Sequence, residues 1–119
     1  MLELKTGSTL LPTYRKADDA ILLALHGEID LHNSPEVRKV ILGLLALHQP
    51  KRLVLNLEEV PYMDSSAIAV LVEALQKLRK TAGKIFLTNL QPRVRGLLEI
   101  ARLDAIFSIV TSEQDALQK

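Results

Sequence analysis

The sequence predicts an α/β fold: a mostly parallel sheet of four to five strands with an antiparallel strand at its N-terminal end, flanked by about four helices. Three observations predict it. From about residue 20 onward, short apolar runs alternate with stretches of helical periodicity, the pattern of parallel strands joined by right-handed crossovers. Leu53-Val54-Leu55-Asn56-Leu57 is an almost unbroken apolar run, as a parallel strand buried on both faces requires. Upstream, two strand-like segments, residues 9–15 and 20–27, flank the polar turn Lys16-Ala17-Asp18-Asp19 and form an antiparallel hairpin.

The first of these strands contains Pro12, which has no N–H to give to a ladder, so the strand lies at a sheet edge or breaks there. After the Gly27-Glu28-Ile29-Asp30 turn, Ser34 is placed to cap a helix whose first position is Pro35. Val37, Val40, Ile41, Leu44, Leu45 and His48 then recur at helical spacing until Pro50 stops the helix. A second helix opens at Asp64-Ser65-Ser66 and carries Ala67, Ile68, Leu71, Val72, Leu75 and Leu78 on one stripe. Glu73 stands four residues before Lys77, the spacing of a helical ion pair. Gly83 ends that helix and residues 85–88 form a strand. Pro92 then opens a third helix with Val94, Leu97, Leu98 and Ala101 facing inward. Residues 106–110 form the last strand, and Thr111 or Ser112 caps a short closing helix, with Gln114 or Asp115 at the capping-box spacing.

A length of 119 residues predicts one domain spanning residues 1–119, with no internal repeat or linker. Fifteen Lys and Arg residues against fourteen Asp and Glu leave a net charge of +1, which gives no field to draw in a nucleic-acid backbone or an anionic membrane. With no cysteine there is no disulfide, thiolate metal site or cysteine nucleophile, which fits a reducing compartment. The segment of residues 1–8 carries Glu3 and Lys5 and lacks the apolar stretch of a signal peptide. The longest apolar run, residues 40–47, is far below the roughly 20 residues that span a bilayer. These features predict a cytoplasmic protein without a membrane anchor.

In open α/β sheets functional groups collect in the loops after the carboxyl ends of the strands, here residues 27–33, 59–66 and 89–91. The richest loop ends in Met63-Asp64-Ser65-Ser66, two hydroxyls and a carboxylate at a helix start. Taken alone the motif reads as an N-cap. It also reads as a phosphorylation site. A phosphate adds about −1.5 to −2 charges, which the helix dipole tolerates and the adjacent Asp64 opposes. A helix end contributes only about 0.3–1 kcal/mol, whereas a hundredfold change in affinity needs about 2.7 kcal/mol. Switching must therefore come from repulsion or desolvation at an interface.

His26, Asp30 and His32 lie close together, but no helical histidine pair or further acidic cluster accompanies them, so no metal site is predicted. His48 reads as a half-buried residue favoured by the helix C-terminus. There is no phosphate-binding glycine loop and no Gly-x-Ser-x-Gly elbow, and no histidine follows Ser65. The chain is therefore expected not to be an enzyme and to need no cofactor. Arg93, Arg95 and Arg102, with Lys77, Arg79 and Lys80, give two helices basic outer faces. Leu42 and Ile100 stand as exposed apolar positions, open to a homodimer contact or to no contact at all.

Several motifs taken together are similar to the STAS family, above all to its bacterial anti-sigma-factor antagonists. They are Gly27-Glu28-Ile29-Asp30, Leu55-Asn56-Leu57, Met63-Asp64-Ser65-Ser66 and Leu97-Leu98-Glu99-Ile100 with Leu103-Asp104. The resemblance implies a regulatory cycle in which the unphosphorylated protein binds an anti-sigma factor that is also a serine kinase and so frees a sigma factor. Phosphorylation of the serine after the aspartate, Ser65, ends the interaction. The partner-binding surface implied is Asp30, Asp64, Ser65 and Ser66. Some members instead serve as non-switching scaffolds or accessory subunits of signalling or lipid-transport assemblies. Two positions depart from the pattern. Ala67 stands where glycine is usual, which firms the helix, and Arg102 stands where glycine commonly precedes the leucine. A left-handed backbone at Arg102 would cost about 1 kcal/mol.

Overall fold

The structure is a computed structural model that describes residues 3–5 and 13–119. In chain order it contains β1 (Glu3–Lys5), β2 (Thr13–Ala17), β3 (Ala20–His26), α1 (Ser34–His48), β4 (Arg52–Glu59), α2 (Ser65–Arg79), β5 (Lys84–Thr88), α3 (Pro92–Ile100), β6 (Ser108–Val110) and α4 (Glu113–Leu117). The strands lie side by side in sequence order. β1, β2 and β3 pair antiparallel, and β3, β4, β5 and β6 pair parallel. This is the expected mixed sheet with four helices, extended by the additional strand β1.

Strand periodicity divides the sheet into two faces. Ile21, Leu23, Leu25, Leu53, Leu55, Leu57, Ile85 and Leu87 form one buried cluster with Val37 and Ile41 of α1, Leu71 and Leu75 of α2, and Val94 and Leu98 of α3. Ala20, Leu22, Val54 and Phe86 form a second, smaller cluster with Ala116 of α4. β3 and β4 are apolar at both alternations because each meets a layer on either side. Glu113 accepts hydrogen bonds from Arg15 and from Asn56 Nδ2, the latter at 3.0 Å, which fastens α4 across the second face.

Local expectations fail where a tertiary partner or a turn overrides them. Of the two alternatives for the Pro12 strand, the sheet edge is excluded, since β1 pairs along Thr13, Tyr14 and Arg15; the other, a break, falls on residues 6–12, which lie outside the described residues, and β2 as described starts at Thr13. The hairpin turn is only Asp18-Asp19, because Lys16 and Ala17 pair with Ile21 and Ala20. Asn33, not Ser34, occupies the N-cap position of α1, without a side-chain hydrogen bond to the helix, and Ser34 is buried as the first helical residue. Glu73 is engaged by Arg38 of α1 rather than held chiefly by Lys77. The guanidinium donates through Nε at 2.7 Å and Nη2 at 2.8 Å, a bidentate clamp between α1 and α2 that holds the Glu73 carboxyl below its usual range. α2 also buries Val70 and Ala74, while Ile68 and Val72 are half-buried. Ala101 is exposed at the end of α3, the last strand is shorter than predicted, and Leu42 is half-buried. His48 is half-buried as expected, its ring 5.8 Å from that of Tyr14.

Two helix ends use the same turn with a side-chain-bearing residue where glycine is preferred. After α3, Arg102 has φ 60; Leu103 N–H donates to Leu98 O at 2.8 Å and Arg102 N–H to Glu99 O at 3.0 Å. After α2, Ala82 has φ 59, and Gly83, one residue later, donates to Leu78 O at 2.7 Å. Gly83 therefore does not end the helix by its own left-handed backbone. It is needed because a Cβ there would meet Leu78 Cδ2 at 2.8 Å and Pro50 O at 3.2 Å. Arg102→Gly removes the steric conflict of a left-handed residue, partly offset by a freer unfolded chain. Chemical denaturation should show the variant more stable by about 0.5–1 kcal/mol.

Candidate functional site

The carboxyl ends of β3 and β4 are stitched together by backbone. Gly27, at φ 83, donates to Glu59 O at 2.9 Å, Ile29 N–H to Tyr62 O at 3.0 Å, and Asp64 N–H to Ile29 O at 3.1 Å. Ile29 and Met63 face each other as an isolated parallel bridge, and both are buried. The two loops are therefore joined to each other beyond the ends of the strands.

Asp64 completes the junction. Its backbone is extended, so its side chain turns back over the first turn of α2. Oδ1 accepts from Ser66 N–H at 2.9 Å, Ser66 Oγ at 2.5 Å and Ala67 N–H at 3.3 Å. Oδ2 accepts from Leu31 N–H at 2.9 Å, in the neighbouring loop. One carboxylate thus caps the helix and clasps the β3–α1 loop. The hydrogen bond from Ser66 Oγ, supported by the N–H donors of Ala67, Leu31 and Ser66, holds its pKa below the ordinary carboxylate value.

A lowered folded pKa stabilises the fold fully above the unfolded pKa of about 4, and that contribution is lost as pH falls through the folded value. Asp64→Ala should therefore lower Tm at neutral pH by roughly 3–6 °C, the scale of a lost N-cap. In thermal melts the gap between the two proteins should narrow as the pH is taken below about 4.

Asp30 shapes its own turn. Its Oδ1 accepts from His32 N–H at 2.9 Å and its carbonyl from Ser34 N–H at 2.8 Å, while Asn33 Oδ1 accepts from Asp30 N–H at 2.9 Å. Asp30 and Asp64 are linked through Leu31, whose N–H reaches Asp64. The two serines differ. Ser66 is half-buried with its hydroxyl spent on Asp64, whereas Ser65 is exposed and its hydroxyl makes no hydrogen bond among the described residues. All four predicted site residues, Asp30, Asp64, Ser65 and Ser66, are therefore on one loop cluster, and Ser65 alone of the two serines presents an unengaged hydroxyl. Ala67, the next residue of α2, is buried.

The third loop joins the cluster through Gln91, whose Nε2 donates to Glu58 O at 2.7 Å, and Arg93, whose guanidinium lies 4.7 Å from the Tyr62 ring centre. In the sequence Arg93 stands out only as part of a basic face, and Leu31, Asn33 and Tyr62 belong to no motif. Leu31 did carry a signal, a lone large apolar side chain in the polar run from Asp30 to Ser34. Among the described residues no three His, Cys, Asp or Glu side chains converge as metal ligands would, and no helix is long and apolar enough to cross a membrane.

A family model described as the STAS domain matches residues 12–116. The chain is 35% identical over 98 residues to an anti-sigma-B factor antagonist of Listeria monocytogenes, covering 80% of this chain and 82% of the relative. It is 29% identical over 104 residues to the anti-sigma-B factor antagonist of Bacillus subtilis, covering 87% and 94%. Among solved structures, an anti-sigma factor antagonist from Mycobacterium paratuberculosis superposes with a TM-score of 0.83 at 24% identity, covering 97% of each chain. The Bacillus cell fate determinant SpoIIAA in its phosphorylated form gives a TM-score of 0.69 at 21% identity, covering 90% of this chain and 96% of its own.

Proposed function

The chain belongs to the STAS domain family, and from that premise we propose that it is an anti-sigma-factor antagonist switched by phosphorylation of Ser65. Its relatives from Listeria monocytogenes and Bacillus subtilis are named for the antagonist role, and SpoIIAA, of the same fold, has been solved in a phosphorylated form. The observation that carries the reading in this chain is the contrast between the serines: Ser65 is exposed with an unengaged hydroxyl, and Ser66 is locked onto Asp64.

In this reading the unmodified protein is a cytoplasmic binding module, not a catalyst. It docks an anti-sigma factor that is also a serine kinase through the surface of Asp30, Asp64, Ser65 and Ser66. Within the complex Ser65 Oγ attacks the γ-phosphorus of ATP, forming the Oγ–P bond and releasing ADP, while a base of the kinase takes the proton. The new dianion stands at the positive end of α2, so the fold tolerates it, but it also stands beside Asp64 on the docking face. Repulsion and desolvation there expel the partner. Asp64 contributes geometry, holding the helix start and the β3–α1 loop in one arrangement.

The test is a pull-down of the wild type beside Ser65→Asp, with mass-spectrometric mapping after incubation with the captured kinase and ATP. The reading expects capture of a kinase-type anti-sigma factor by the wild type only, and phosphate on Ser65. Equal partner binding by wild type, Ser65→Ala and Ser65→Asp would leave a docking role without a switch and overturn the proposal.

A further inference from the structure

We infer that Leu31 is the apolar anchor of this docking surface and that its partner offers an apolar socket beside the site that receives Ser65. The inference rests on the proposed role of the Ser65 surface. Leu31 is 76% exposed, yet it sits in a loop fixed at every step. Its own N–H is bonded to Asp64, the preceding residue is bonded to Asn33, and the following N–H is bonded to Asp30. Single exposed large apolar side chains are common on surfaces, and Leu47 at 73% and Ile100 at 85% are examples on helices elsewhere.

Leu31 differs in being pre-organised. A large apolar side chain held on a rigid backbone meets a partner without the ordering cost of a mobile loop, which is how anchor residues gain their effect. It is also joined to the modification site by a single group. The Asp64 carboxylate that caps the helix beginning at Ser65 is the acceptor that holds the Leu31 backbone. Asp64 is thus a positioning residue for the anchor.

This arrangement allows the two roles of Asp64 to be separated. In Asp64→Asn the amide oxygen can take the place of Oδ1 and keep the cap, since Asn caps helices as well as Asp. The amide NH2 then faces Leu31 N–H, donor against donor, and the clasp is lost. The experiment measures, by calorimetry, the affinity of the purified anti-sigma factor captured by the wild type for six proteins: wild type, Leu31→Ala, Asp64→Asn, the double variant, Leu47→Ala and Ser65→Asp.

Leu31→Ala should weaken binding at least about thirtyfold, the level of an interface hot spot, with Tm unchanged. Asp64→Asn should weaken it about tenfold, and the double variant should lose less than the product of the two, because a released loop no longer presents the leucine. Leu47→Ala should bind as wild type. Wild-type affinity in Leu31→Ala overturns the anchor; if Ser65→Asp still abolishes binding, the switch stands without it. Strictly multiplicative losses overturn the positioning role of Asp64. If no anti-sigma factor is bound by the wild type, both the anchor and the switch fall.

Discussion

Ser65→Asp is expected to weaken binding of the anti-sigma factor at least about a hundredfold while shifting Tm by no more than a few degrees. The two halves of this expectation have separate causes. Ser65 is the first residue of α2 and is exposed, so a carboxylate there loses no packing and no hydrogen bond. It also gains a favourable interaction with the helix dipole of about 0.3–1 kcal/mol, which offsets repulsion from Asp64. The fold is close to indifferent. An interface is not, because a new charge must be stripped of water and placed beside the Asp64 carboxylate and the Leu31 anchor. Like-charge juxtaposition at an interface costs on the order of several kcal/mol, enough for the roughly 2.7 kcal/mol of a hundredfold loss. Ser66→Asp should behave differently and destabilise the protein itself, since Ser66 donates its hydroxyl to Asp64.

Leu55→Ala should be the most damaging single change to stability, lowering it by about 3–5 kcal/mol and Tm by roughly 10 °C or more. Leu55 is fully buried in β4, paired with Leu23 of β3 on one side and Leu87 of β5 on the other, under the layer of α1 and α2. All three leucines belong to strands that are hydrogen-bonded along this stretch, so the backbone cannot close over the void and the cavity term is retained. The loop that ends at Ser65 leaves from this strand. Urea denaturation followed by circular dichroism checks the magnitude. An effect below about 1.5 kcal/mol would mean that the sheet relaxes around the gap, contrary to this packing.

Much of this arrangement is legible in the sequence because it depends on local chemistry. The apolar run at Leu53 to Leu57 marks the central strand, the Asp64 cap marks the start of α2, and Arg102 stands where a left-handed residue is required. What is not legible depends on partners distant in the chain. Glu73 reads as the partner of Lys77, four residues away, until folding brings Arg38 opposite with better bidentate geometry. Val70 and Ala74 are buried because α2 packs on both the sheet and α1, which widens its apolar face beyond the stripe expected of a helix touching one layer. Asn33 rather than Ser34 stands at the N-cap position because the Asp30 carbonyl accepts from Ser34 N–H and Asn33 Oδ1 accepts from Asp30 N–H, which places Ser34 inside the first turn of the helix.

The candidate site divides in the same way. Asp64-Ser65-Ser66 is visible as a motif, but which serine is available is not, since that follows from the direction of the Asp64 side chain. Leu31 acquires meaning only when its N–H is seen bonded to a residue 33 positions later.

The most direct measurement compares one preparation before and after stoichiometric phosphorylation of Ser65, recording affinity for the anti-sigma factor and amide chemical shifts together. At least about a hundredfold loss of affinity is expected, with shift changes confined to the start of α2 and the Leu31 loop. Undiminished affinity, or a loss accompanied by changes throughout β3, β4 and β5, would contradict it.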